Sequence, residues 1–269
     1  MAIDDFDSHK EPDVVFLPLS DDRYSRFYAM EMAAFHDDLP FYQQRIKPSD
    51  SVLELGCGAG RLCRQLTVIG ARFTGIDRSL PMLRIARQKS GSDISYLCMD
   101  MTMLAFCPLH RQFDAAIIPY NTLNLLTTGE RIKKSLQEIQ TILKKNGRLL
   151  LQIFVPDQTI LNLGSRKLFQ FQIFEQPDGG RIIKEIRRGF HFEQITLEER
   201  YRVRPSQSGA ANEDLSHIQN LAAFSLKKWR ALFHESGFII KQQLSGYNLT
   251  PFIEGRDTCL FIEATSAEH

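Results

Sequence analysis

An apolar run, Ser51-Val52-Leu53-Glu54-Leu55, leads straight into Gly56-Cys57-Gly58-Ala59-Gly60, and Leu62, Leu66 and Ile69 follow at helical spacing. A strand that enters a helix through alternate glycines can turn sharply and let a ligand or another backbone come close, because glycine carries no Cβ and tolerates positive φ. The change of period recurs downstream. Arg72 to Ile76 reads as a second strand, and Ser79 with Pro81 starts a helix that runs to about Lys89 and stops at Ser90-Gly91. Ile94 to Cys98 and Ala115 to Ile118 read as the third and fourth strands. A helix from Glu130 to Lys145, with Ile132, Leu136, Ile139 and Leu143 on one face, closes at Asn146-Gly147 before a fifth strand, Leu149 to Val155. Short apolar runs alternating with helices are the signature of βαβ units, so the expected class is α/β with a doubly wound parallel core.

Beyond Pro156 the period becomes two. Phe169, Phe171 and Ile173 alternate with Gln170 and Gln172, Pro177-Asp178-Gly179-Gly180 supplies a turn, and Arg181 to Val203 alternates again. This reads as an antiparallel insertion of three strands, followed by a loop from Arg204 to Asn212. Leu226 to Ser236 is then helical, and Phe238 to Leu244 and Thr258 to Ala264 are strands expected to return to the core sheet. The expected organisation is a helical lid over 1–48, a core of 49–156 with 215–269, and a substrate cap over 157–214 whose edge strands offer a homodimer contact.

A chain of 269 residues is long enough to fold without metal or disulfide. Its formal net charge of +1 provides no global field to recruit nucleic acid or an anionic membrane. Cys57, Cys63, Cys98, Cys107 and Cys259 are odd in number and form no C-x-x-C pair, which speaks against a disulfide framework and a zinc site and for reduced, buried thiols. Asp4, Asp5, Asp7 and Glu11 stand where a signal peptide would be basic and then apolar, and no apolar run is long enough to span a membrane. The simplest expected location is the cytoplasm.

The glycine turn excludes two common ligands. A dinucleotide fingerprint needs glycine at position 61, which is Arg61, and no Gly-Lys-Ser/Thr follows to make a Walker A loop. Acidic-x-Gly-x-Gly-x-Gly after a first strand resembles motif I of the class I S-adenosylmethionine-dependent methyltransferases. That resemblance implies a Rossmann-like seven-stranded sheet with the antiparallel insertion between the fifth strand and the last helix. It also implies S-adenosylmethionine as cofactor, held at Gly56, Cys57, Gly58 and Gly60, with Glu54 positioning the methionine part. Asp77, which ends the second strand, would accept from the ribose hydroxyls and Asp100 from the adenine amino group. Arg78, Met82, Met101 and Ile118 would line the nucleoside. The layout past Pro156 also resembles small-molecule enzymes of the glycine and amino-sugar N-methyltransferase type.

Ligands of open α/β sheets sit beyond the carboxyl ends of the strands, which puts Ile118-Pro119-Tyr120-Asn121-Thr122-Leu123-Asn124 at the reacting methyl. The loop is similar to the Asn/Asp-Pro-Pro-Tyr motif of amino-methylating nucleic-acid enzymes, but Ile118 replaces the amide or acid and one proline is missing, so a nucleic-acid substrate is disfavoured. Methyl transfer is an in-line displacement that mainly requires alignment and exclusion of water. Tyr120 and Asn121 are therefore the candidate catalytic groups for an amine, and His36 is a candidate base if the acceptor is a hydroxyl. Ahead of the first strand, a helix bearing Tyr24 and Tyr28 at i and i+4 either folds over the cofactor as a lid or lies flat on the sheet. His191, His217 and His234 have weaker claims. Arg181, Lys184, Arg187, Arg188, Arg200, Arg202 and Arg204 make the insertion locally basic, but Glu185, Glu193, Glu198 and Glu199 are interleaved and favour a solvated mixed-charge sheet. Arg187 or Arg202 in the cleft would instead imply an acidic or phosphorylated acceptor. The functional expectation is methyl transfer to a nitrogen, or an oxygen, of a small molecule. A non-catalytic binding partner and an RNA or protein methyltransferase are the competing readings.

Overall fold

The computed structural model describes residues 14–91, 93–104, 112–162, 168–176, 179–207 and 209–267. Cys107, Pro177-Asp178 of the expected turn and the acidic N-terminal residues lie outside this set. The chain opens with β1 (Leu17–Pro18), α1 (Asp21–Glu31) and α2 (Leu39–Gln43). The alternating core follows as β2 (Ser51–Leu55), α3 (Arg61–Leu66), β3 (Arg72–Asp77), α4 (Leu80–Ser90), β4 (Ser95–Cys98), β5 (Phe113–Ile118), α5 (Gly129–Ile142) and β6 (Leu143–Phe154). A short α6 (Gln158–Leu161) leads into β7 (Leu168–Glu175), β8 (Arg181–His191), β9 (Gln194–Arg204) and β10 (Glu213–Ala222). The last elements are α7 (Leu226–Glu235), β11 (Phe238–Ser245), β12 (Thr250–Pro251) and β13 (Cys259–Ser266).

The larger sheet has the order β12-β11-β13-β6-β5-β2-β3-β4. Its strands from β6 to β4 are parallel, and β13 and β11 return antiparallel to them. The two-residue β12 adds an eighth strand to the seven expected. Period-two alternation sends neighbouring side chains to opposite faces. Leu53, Leu55, Ala116, Ile118, Leu149 and Leu151 pack on one side with Leu136 and Ile139 of α5 and Trp229 and Phe233 of α7. Val52, Ala115, Ile117 and Leu150 pack on the other with Phe41 and Tyr42 of α2 and Leu62 and Leu66 of α3. With both faces covered, the strands read as nearly continuous apolar runs. Helix starts obey local chemistry, since Ser79, Thr128 and Ser225 accept from the amides of Met82, Arg131 and Lys228. The helix expected to reach Lys145 stops at Ile142 because Leu143 is already extended. Asn146, at φ 63°, then bulges β6, whose pairing skips from Leu143 opposite Phe113 to Arg148 opposite Ala115.

The smaller sheet has the order β1-β10-β9-β8-β7. Three antiparallel strands were expected from 157 to 214. The sheet contains a fourth, β10, so the boundary expected at 215 falls inside a strand that continues to Ala222. Its run Glu213-Asp214-Leu215-Ser216-His217-Ile218-Gln219-Asn220 has little apolar alternation and becomes a strand by pairing with β9 along its whole length. β8 and β9 are joined through Phe192 and Glu193, at φ 42° and 60°, a hairpin turn without the Asn-Gly signal. α1 does not lie flat on the large sheet. Phe27 packs on Tyr201 at 5.3 Å and joins Leu19, Ile182, Val203 and Leu215 on the small sheet, while the helix also touches α4 of the core. It therefore bridges the small sheet and the core. Cys57 and Cys63 are buried, but Cys259 is half-buried and Cys98 exposed, so the thiols do not share one environment. Among the described residues no helix is long and apolar enough to cross a membrane.

Candidate active site

In the large sheet β2 lies between β3 and β5, and the chain winds outward from it in both directions. The turns after β2 and β5 are therefore neighbours at the topological switch point, where a crevice opens in such sheets. A cavity of about 780 Å³ occupies it. The core contributes Gly56, Gly58, Asp77, Arg78 and Met82, the β5 turn contributes Tyr120, Asn121 and Thr122, α1 contributes Tyr24, Ser25 and Tyr28, and the small sheet forms the far wall.

The glycine turn is held from both sides. Gly56 has φ 68°, and a Cβ there would lie 2.1 Å from Thr122 Cγ2, so the two turns can approach only with glycine at this position. Gly58, at φ 53°, faces Tyr28, with a Cβ position 3.8 Å from the ring and no closer neighbour. Its amide donates to Asp77 Oδ2, and Ser79 N donates to Oδ1, both at 2.8 Å. Burial raises the Asp77 carboxyl above its ordinary range, and these amides pull it back. Each Asp77 oxygen keeps a lone pair for a ligand hydroxyl.

The β5 turn is strained. Tyr120 and Asn121 have φ of 50° and 61°, a left-handed pair that costs about 1–3 kcal/mol per residue for side chains of this type. Several contacts impose it. Asn121 N donates to Gln152 O, Tyr120 meets Phe35 edge-on at 5.3 Å, and buried Asn124 donates to the carbonyls of Phe154 and Ala222. Asn124 thereby ties the turn to the ends of β6 and β10. Asn121 Oδ1 and Ser25 Oγ are buried at the cavity wall without a hydrogen-bond partner among the described residues. Such orphaned acceptors mark a place where a ligand group completes the hydrogen bonding.

Residues 52–147 match the methyltransferase domain family. This stretch is a methyltransferase domain. A putative methyltransferase of Bacillus subtilis, YqeM, is 29% identical over 143 residues, covering 50% of this chain and 58% of the relative. A 2-phytyl-1,4-naphtoquinone methyltransferase of Nostoc is 33% identical over 139 residues, covering 48% of the chain and 54% of the relative. The chain thus spans about half the length of the curated relatives it matches. The crystal structure of the sugar N-methyltransferase KedS8 from Streptoalloteichus superposes with a TM-score of 0.72 at 16% identity, over 100% of this chain and 99% of that one. The fold of the whole chain, small sheet included, is therefore one found in S-adenosylmethionine-dependent methyltransferases.

Within the methyltransferase domain the expected residues are not all brought together. Tyr24, Tyr28, Gly56, Gly58, Asp77, Arg78, Met82, Tyr120 and Asn121 line the cavity. Glu54 and Cys57 instead line a smaller hollow of about 50 Å³ behind the turn, where Glu54 Oε2 accepts from Cys63 N at 2.9 Å. Gly60 starts α3, and Ile118 is wholly buried in the core. Asp100 and Met101 are not in the cavity wall. Asp100 Oδ1 accepts from the amide and hydroxyl of Thr102, and Oδ2 lies 3.7 Å from Arg131. Although burial works against it, the Thr102 bonds and Arg131 keep this carboxyl below its ordinary value. His36 is exposed in the loop between α1 and α2, outside the wall, so the structure gives it no contact with the cavity.

Arg61, which breaks the dinucleotide fingerprint, has a different task. Its guanidinium pairs with both oxygens of buried Asp38 at 2.8 and 2.5 Å, donates to Phe35 O, and stacks over the Phe35 ring. It fastens the segment that follows α1 to the domain. Of the basic residues of the insertion, Lys184 and Arg188 line the cavity, whereas the two arginines whose presence there would imply an acidic acceptor do not. Arg187 and Arg202 lie on the outer face of the small sheet and pair with Glu185, and Arg202 also covers Phe16. The premise for an acidic acceptor at those two positions is therefore not met. On the inner face, Lys184, Arg188, Glu199, His217 and Gln219 are polar groups whose inward direction the amino-acid order alone does not resolve. The available signal is the strand parity, which requires register to interpret.

Proposed function

We propose that the chain transfers the methyl group of S-adenosylmethionine to a nitrogen of a small molecule by in-line displacement. The observation that carries this reading is the shared cavity, with one wall formed by the turns of the methyltransferase domain and the other by a sheet outside it. Its volume of about 780 Å³ falls within the roughly 300–1,000 Å³ typical of small-molecule sites, which leaves room for cofactor and a compact acceptor. α1 and the small sheet close the space, a geometry that suits a small acceptor better than a polynucleotide or folded protein. The solved relatives agree with a small acceptor, since KedS8 is described as a sugar N-methyltransferase and CalS10 of Micromonospora echinaspora, TM-score 0.70 at 20% identity over 96% of this chain and 100% of that one, as an amino pentose methyltransferase.

The residues present fit the cofactor. Gly58 leaves its face open, Asp77 has lone pairs for ribose hydroxyls, and Met82 with Tyr28 provides apolar surface for the nucleoside. When bound, the cofactor supplies a methyl group on a positively charged sulfur. The protein's own work is positioning. Aromatic faces at Tyr24, Tyr28 and Tyr120 favour a cation, by about 0.5–2 kcal/mol per well-placed ring, and exclude water. Asn121 Oδ1 offers an acceptor to an N–H of the incoming amine, fixing its lone pair towards the methyl.

Calorimetry with S-adenosylhomocysteine tests the cofactor, and absence of binding at millimolar ligand refutes it. Methyl transfer to paired amine and hydroxyl acceptors tests the atom, with the amine of each pair expected to react.

A further inference from the structure

The inner face of the small sheet contains a buried charge cluster. Lys184 Nζ lies 2.7 Å from Glu31 Oε2 and 2.5 Å from Glu199 Oε1, and only 3% of the Lys184 side chain is exposed. Two carboxylates against one ammonium leave this cluster with a formal negative charge, which is costly where it is buried, while Arg188, further along the same inner face, donates to Gln170 Oε1. Opposite Glu199 across the β9–β10 pair stands His217. Its imidazole lies against Tyr24 with centroids 4.0 Å apart at 25°, lines the cavity, and has no hydrogen-bond partner among the described residues. Tyr24 stacks in turn with Tyr28 at 6.1 Å, and Tyr28 faces Gly58. Two ring contacts therefore connect His217 to the ring above the glycine turn.

We infer that the acceptor is a cationic amine drawn in by Glu31 and Glu199, and that His217 is the base that takes its proton. The inference rests on the methyltransferase reading above. An ammonium nitrogen has no lone pair, so one N–H bond must break first, its proton passing to an imidazole nitrogen of His217. The freed lone pair then forms the N–C bond while the C–S bond breaks and its electron pair stays on sulfur, which becomes neutral. The charged and titratable groups facing His217 are Asp21 and Tyr24 from α1, Glu199 from β9 and Lys184 from β8, while the adjoining β1 residues, Leu17 and Pro18, do not titrate. Burial lowers the imidazole below its ordinary range, Glu199 and Asp21 oppose this, and Lys184 adds to it, so the ring is neutral and able to accept a proton near pH 7.

The test uses the full chain with 2-aminoethanol and glucosamine as probes, each set against its hydroxyl counterpart, ethylene glycol and glucose. In the S-adenosylhomocysteine complex the His217 ring-proton resonance, assigned by its loss in His217→Asn, is titrated from pH 5 to 9. A bound ammonium beside the ring should move its midpoint down by at least half a pH unit with an amine and not with a hydroxyl compound, and Glu199→Gln should abolish the shift. His217→Asn should bind S-adenosylhomocysteine within twofold of wild type. With an amine that reacts, its kcat should fall at least tenfold at pH 7 with KM within twofold, and the loss should shrink towards pH 9 as free amine accumulates. A midpoint unmoved by both amines, or moved equally by glucose, overturns the inference, as does wild-type kcat in His217→Asn at pH 7. Failure of the wild-type protein to bind S-adenosylhomocysteine would instead overturn the reading on which it rests.

Discussion

Replacing Glu54 by glutamine measures the cost of placing an acid beneath the glycine turn. Only 1% of Glu54 is exposed, and its one backbone donor is Cys63 N at 2.9 Å. Burial pushes its carboxyl up to about 7 from an ordinary 4.5, Cys63 and Arg61 pull it down, and Asp38 adds to the rise. Between these two values the folded chain holds a proton that the unfolded chain has released, so stability falls as pH rises through the window and stays reduced above it. At 1.36 kcal/mol per pH unit the loss is about 3 kcal/mol. Glutamine has the same shape, can accept from Cys63 N and carries no charge. Urea unfolding of the ligand-free proteins should show a stability gap in favour of Glu54→Gln that widens by about 3 kcal/mol between pH 4.5 and 8. At 2–4 °C per kcal/mol this is roughly 6–12 °C in Tm. Other titrating groups cancel in the difference between the two proteins. A gap that stays constant over this range would mean that Glu54 is ionised throughout, with Arg61 outweighing burial, and would refute the argument.

Arg61→Met should destabilise the ligand-free protein by about 3–5 kcal/mol in urea unfolding, because it leaves the fully buried Asp38 carboxylate unpaired; adding Asp38→Asn should recover most of that loss. Gly56→Ala should cost about 1–3 kcal/mol in Tm-derived stability, and Thr122→Ser, which removes the colliding Cγ2, should restore part but not all of it because the left-handed φ remains. Asp77→Asn should weaken S-adenosylhomocysteine binding in calorimetry by about 1–3 kcal/mol, the worth of hydrogen bonds to a charged acceptor, with the ligand-free Tm shifting by a few degrees at most.

Much of the core is legible in the order of the amino acids. Val52 to Leu55, Arg72 to Ile76 and Ala115 to Ile118 are strands because their apolar runs are too short for helices and are bounded by turn residues, and those properties belong to the local chain. The glycine turn and Asp77 are legible for the same reason, since positive φ and an acid at a strand end are written in consecutive residues. Less local features are not. β10 is polar in sequence and becomes a strand through ten partners on β9. Asp100 sits in the expected place along the chain, yet its carboxylate turns to Thr102 and Arg131. Lys184 and Glu185 are adjacent residues of an alternating charged strand, and only the packing of α1 on one face makes the first a cavity residue and the second a partner of Arg187. Local periodicity determined which segments are strands and helices and where the chain must turn. Which face of a strand looks into the site depends on what packs against it from residues distant in sequence, so the acceptor wall, with Lys184, Glu199 and His217 side by side, was decided by tertiary structure alone.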